Sequence, residues 1–136
     1  MNYKNSLKVV ALLLIAGSVL FYSCKDKCKA GSGGNLTFVL SPKHHVKAIP
    51  GCTVRIKFNA KEFPGANGSY EINTQAAPGE NSVTVSGLKC GDYYIYATGI
   101  DTSLSGPDQS VKGGIPYSTE QESGTIYLDI PVTEIH

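Results

Sequence analysis

The sequence predicts an all-β domain arranged as a two-sheet sandwich of seven short strands. Apolar and polar residues alternate with period two in several short windows, as half-buried strands do. Turn-forming residues separate those windows, with 15 Gly and 7 Pro in 136 residues. Beyond the N-terminal apolar run, no stretch of about three turns repeats with a helical period of 3.6. The length suits one domain. At 41% hydrophobic residues, 17% charged residues and a net charge of +1, the chain has neither a basic surface for nucleic acid nor an acidic, disordered composition.

The N-terminus is an address. Lys4 and Lys8 precede an apolar run from Val9 to Leu20 that only Gly17 and Ser18 interrupt. This is a positive n-region and an h-region too short to cross about 30 Å of hydrocarbon. Phe21-Tyr22-Ser23-Cys24 follows at the cleavage position. A small residue directly before Cys24 resembles a bacterial lipobox, of the looser kind found in some Gram-negative groups. That resemblance implies a signal peptide over 1–23, a diacylglyceryl group on Cys24 and an acylated mature N-terminus. The alternative is an ordinary secretory signal with an incidental Cys. Removing 1–23 takes Lys4 and Lys8 from the 12 basic residues and none of the 11 acidic ones, leaving a net charge near −1. Membrane attachment would then come from acyl chains rather than from charge. Residues 24–34 have no apolar periodicity and read as a flexible tether, with Lys25-Asp26 weakly similar to a surface-export signal.

The domain itself is expected over 35–136. Leu36, Phe38 and Leu40 form the first strand, stopped by Ser41-Pro42. Pro50-Gly51 turns the chain into the cleanest alternation, Cys52, Val54, Ile56 and Phe58. A loop over 59–68 leads to Tyr70 and Ile72, and Val83 and Val85 open a fourth strand that ends at Gly87-Leu88. Tyr93, Ile95 and Ala97 mark a fifth, and a polar loop runs from Ile100 to Asp108. Strands over Val111–Tyr117 and Thr125–Val132 complete seven. Val54, Ile56, Phe58, Tyr93 and Ile95 are expected to face inward together.

Ile49-Pro50-Gly51-Cys52-Thr53-Val54-Arg55-Ile56 resembles the P-G-A-x-V-x-V strand of carboxypeptidase regulatory-like, or transthyretin-like, domains. Ser86-Gly87-Leu88-Lys89-Cys90-Gly91-Asp92-Tyr93 resembles their G-L-x-P-G-x-Y signature. Cys52 replaces the usual Ala and Cys90 the usual Pro. The resemblance covers about Asn35 to Gly99 and implies a seven-stranded immunoglobulin-like sandwich. These motifs encode turns and packing, so they bear on fold rather than activity.

The family includes small hydrolases, which need dispersed His and Arg residues and a Tyr-Arg-Gly-Ser-like terminus. This chain has one Arg, Arg55, and ends Val132-Thr133-Glu134-Ile135-His136. It also has no G-x-S-x-G elbow and no phosphate-binding Gly loop, so no catalytic residue or cofactor is assigned. His44 and His45 are weak metal candidates. As neighbours they would face opposite sides of a strand, and no zinc-ligand spacing accompanies them. They read as a solvated loop pair between Pro42 and Pro50.

Tyr94 and Tyr96 point away from the face that Tyr93 and Ile95 bury. Together they form an amphipathic stripe suited to carbohydrate or protein, unless a strand or crossing loop covers it. The sequence therefore describes a lipid-anchored cell-envelope protein, expected at the outer membrane, whose sandwich serves as a non-catalytic binding or structural module. A small transthyretin-like hydrolase and a periplasmic metal-handling protein are the alternatives.

With Cys24 acylated, Cys28, Cys52 and Cys90 remain in an oxidising compartment. If consecutive strands alternate in direction, Cys52 and Cys90 lie at opposite ends of the domain. A strand of about six residues is roughly 20 Å long, whereas a disulfide needs Cα atoms within about 7 Å. Cys52 shares the inward parity of Val54 and reads as a buried free thiol, and Cys90 reads as exposed in its turn. Cys28 begins at the same end as Cys90. It either bonds Cys90 or stays unpaired on its tether.

Overall fold

The computed structural model describes residues 28–103 and 107–135. Residues 1–27, on which the expected signal peptide and Cys24 fall, and 104–106 and 136 lie outside them. The described residues are all-β, without a helix. They form β1 (Ser32–His44), β2 (Lys47–Ala48), β3 (Thr53–Phe58), β4 (Ile72–Gln75), β5 (Val83–Leu88), β6 (Gly91–Asp101), β7 (Gln109–Thr119) and β8 (Ser123–Glu134).

These strands make one mixed sheet in the order β2-β1-β8-β7-β6-β3-β4, with β5 also paired to β1. Every pairing is antiparallel except β1 with β8, which run parallel from Asn35↔Ser123 to His44↔Val132. The sheet curls at β7. That strand pairs with β6 along its whole length but meets β8 only at Val111↔Glu134 and Lys112↔Thr133. The curl brings β1 over β6, so Phe38 packs edge-on against Tyr93 at 5.1 Å and against Tyr117 at 5.7 Å. Fully burying one such side chain contributes about 1.5–3 kcal/mol, and edge-to-face ring pairs add to that.

Period-two alternation explains the core. Leu36, Phe38 and Leu40 of β1 are buried with Val54 and Ile56 of β3, and with Tyr93, Ile95 and Ala97 of β6. Phe58 ends its strand and is only partly buried, its ring 5.7 Å from that of Tyr93.

Four expectations change. The described residues hold eight strands rather than seven, because Lys47–Ala48 folds back on Lys43 and His44. Pro42 does not stop the first strand, and β1 runs on to His44. Pro42 falls between the β5 pairing, which reaches Leu40↔Val83, and the β2 pairing, which starts at Lys43↔Ala48, so its missing N–H lies outside both registered ladders. The Pro42 carbonyl still accepts from the Ile49 N–H at 2.9 Å. Tyr70 is not a strand residue, since pairing with β3 starts at Ile56↔Ile72. Lastly, 24–34 is not a free tether throughout. Cys28 is bonded to Cys90, with Cα atoms 5.2 Å apart, Ala30 is buried, and β1 has begun by Ser32.

Candidate functional site

Tyr94 and Tyr96 leave β6 on the outer face of the β3-β6-β7 sheet, opposite the side that holds Tyr93 and Ile95. In register beside them stand Lys57 and Arg55 on β3, and Pro116 and Gly114 on β7. The expected open stripe is only half there. Tyr94 is partly exposed, but Tyr96 is 4% exposed because the 59–71 connection folds over it.

That connection is pinned at several points. Arg55 Nη1 donates to the Ala66 carbonyl at 2.8 Å, and the Tyr70 hydroxyl donates to the Gly65 carbonyl at 2.8 Å. Glu71 accepts from Lys57 Nζ and from the Phe58 N–H, both at 2.8 Å. Partial burial works against the charge of Glu71, but these donors outweigh it and hold the carboxyl below its ordinary range. The Tyr70 ring then stacks on Tyr96 at 6.1 Å, and Phe63 lies 5.0 Å from Tyr96 and 5.6 Å from Tyr94.

Phe63 remains 49% exposed and walls a cleft of about 230 Å³ with Tyr94, Tyr96, Lys112 and Thr133. Gly114 forms part of its floor. A Cβ there would lie 2.5 Å from the Ile95 carbonyl oxygen and 2.9 Å from Tyr94 Cε1, so only glycine lets Tyr94 lie across β7. Burial, and then the neighbouring Tyr96, push the Tyr94 phenol up, so it stays protonated and able to donate at neutral pH. Aromatic faces beside an ammonium and hydroxyls make a surface that holds amphipathic ligands by stacking and edge hydrogen bonds. Sequence reasoning found Tyr94 and Tyr96 through strand parity. It missed Phe63, Tyr70 and Gly114, whose roles depend on how the connection folds back.

His44 is not in a solvated loop. It closes the inner face of β1 at 4% exposure, and its Nδ1 lies 2.7 Å from Asp101 Oδ2. Asp101, 2% exposed, also accepts from the Ser103 hydroxyl at 2.6 Å and the Ser103 N–H at 2.8 Å. The Ser103 hydroxyl first, and then His44, lower the Asp101 pKa to about 2. An ionised carboxylate only accepts, so the Nδ1 proton belongs to His44. Nε2 faces Glu134 Oε1 at 4.0 Å. His45 sits in the turn with a φ of 55°, its ring 4.2 Å from that of His44. The strand reached His44 because Pro42 did not end it, and a buried histidine there needs its carboxylate. With Nδ1 engaged, the pair is built as an internal hydrogen-bonded link. Among the described residues, no group of three or more His, Cys, Asp or Glu side chains is placed to hold a metal ion.

The cysteines follow the strand parity. Cys28 bonds Cys90, and Cys52 is free and buried, with burial pushing its thiol up. Cys90 is half-buried rather than exposed, because residues 28–31 pack beside it. A Cβ on Gly91 would come within 2.1 Å of the Ala30 nitrogen, so that approach requires glycine.

No family model matches the chain, and no curated protein matches it. Among solved structures, the chain is similar to the crystal structure of a DUF4876 family protein from Bacteroides thetaiotaomicron VPI-5482, with 14% identity and a TM-score of 0.45. The similarity covers 74% of this chain and 24% of that one, so the chain spans about a quarter of its neighbour's length.

Proposed function

We propose that this chain is a lipid-anchored cell-envelope protein, held at the outer membrane through Cys24, whose domain is a non-catalytic binding or structural module of the transthyretin-like, immunoglobulin-like sandwich type. The observation that carries the reading is the Cys28–Cys90 disulfide, four residues after the lipobox-like Cys24. Such bonds persist in oxidising compartments outside the cytosol, which agrees with the export signal ahead of it. The curled sheet with β1 packed over β6 supports the sandwich type. The Phe63–Tyr94 cleft is the ligand surface, for carbohydrate or protein, and His44–Asp101 is a structural pair rather than a catalytic or metal-handling one.

Metabolic labelling with an alkyne fatty acid tests the anchor. The wild-type protein should take the label and fractionate with membranes, and Cys24→Ser should do neither. An unlabelled wild-type chain whose mature N-terminus is not Cys24 would overturn the reading.

A further inference from the structure

We infer that the Cys28–Cys90 disulfide fixes how the domain stands on the membrane: the end of the sheet where β1, β6 and β8 begin rests against the lipid headgroups, and the His44–Asp101 end points away. This rests on the lipid-anchor reading, and the partner is the bilayer surface itself.

Three residues, Lys25, Asp26 and Lys27, separate Cys24 from Cys28. Fully extended, that link reaches at most about 14 Å, and the headgroup layer takes up about 5–8 Å of it. Without the bond, the link would run to Ser32, where β1 begins, and reach about 28 Å, twice as far and enough for the domain to tilt widely. The bonded end is also sewn to the fold. The Lys89 N–H donates to the Gly31 carbonyl at 2.9 Å, Asn59 Nδ2 donates to the Ala30 carbonyl at 3.2 Å, and Ala30 is buried. The chain therefore leaves a fixed point at one end of the sheet. Charge does not choose this end, where exposed Lys29 and Lys89 stand with Glu120 and Glu122. The link does. Val46, 85% exposed, marks the other end, about 35 Å away along β6.

The chain contains no Trp, so a single introduced Trp is a clean reporter. Lys29→Trp and Val46→Trp would each be made in the full lipidated protein and placed in phosphatidylcholine vesicles carrying a headgroup nitroxide quencher. Lys29→Trp should be quenched severalfold more than Val46→Trp. A Gly-Ser spacer of about ten residues inserted between Lys25 and Asp26 leaves the disulfide and the fold intact, and should abolish most of the contrast. Equal quenching of both reporters without the spacer, on protein that floats with the vesicles, overturns the orientation and leaves the anchor standing. Failure to float removes the anchor and the orientation together.

Discussion

Cys28 and Cys90 are joined across 62 residues of sequence, while Cys52 stays free at the opposite end of β3 from the bond. The antiparallel pairing of β3 with β6 separates them, placing Thr53 opposite Thr98 and Phe58 opposite Tyr93. Peptide mapping of non-reduced protein should recover Cys28 linked to Cys90 and Cys52 as an unlinked thiol. Cys28→Ser with Cys90→Ser should lower unfolding free energy by about 2–5 kcal/mol, as loss of a native bridge in a small domain does. Denaturant titration of both proteins checks the loss.

Asp101 gives the domain an acid-sensitive joint. Its folded pKa, about 2, lies below the ordinary 3.8, so the carboxylate stabilises the fold above the ordinary value. That contribution falls away as pH drops from about 5 toward 2. Asp101→Asn should melt at a lower temperature than wild type at neutral pH, with the two converging as the pH approaches 2. Melting curves across that range test this, and a constant difference would contradict it.

Phe38 and Phe58 separate full from partial burial. Phe38 is wholly buried and touches Tyr93 and Tyr117, so Phe38→Ala should cost about 3–5 kcal/mol. Phe58 ends its strand partly exposed, and Phe58→Ala should cost clearly less. Paired thermal melts would show the order.

Gly114 is the least replaceable floor residue of the cleft. Gly114→Ala should displace Tyr94 and cost about 1–3 kcal/mol, as overpacking does. Near-ultraviolet circular dichroism should report the altered tyrosine environment. Phe63→Ala should open the cleft with little loss of stability, since Phe63 is half exposed.

Alternation made most strands legible. It placed Val54, Ile56, Tyr93 and Ile95 inside and Tyr94 outside without any knowledge of pairing. Strand parity separated Cys52 from Cys90 because each stands just before its strand and those strands, β3 and β6, run antiparallel; the extra strand β2 runs in the same direction as β3 and leaves that relation intact. Ends were harder to read. Pro42 looked like a stop because its missing N–H matters only where a partner waits for it, and that depends on where β5 ends and β2 begins. The burial of His44 and its pairing with Asp101, 57 residues away, followed from that one extension. The cover over Tyr96 depends on the path of 59–71, which no periodicity encodes.

The parallel pairing of β1 with β8 also sets an order of assembly. Ten register pairs join the first strand to the eighth, and between them lies the whole of the remaining sheet. Closing so long a loop costs entropy before any contact rewards it, and topologies dominated by such pairings fold slowly. A nascent chain that lacks Ser123–Glu134 leaves one side of β1 unpaired and Phe38, Leu40 and His44 without their in-register neighbours Ile126, Leu128 and Val132. The sheet is therefore complete only when β8, the last strand of the described residues to be made, arrives.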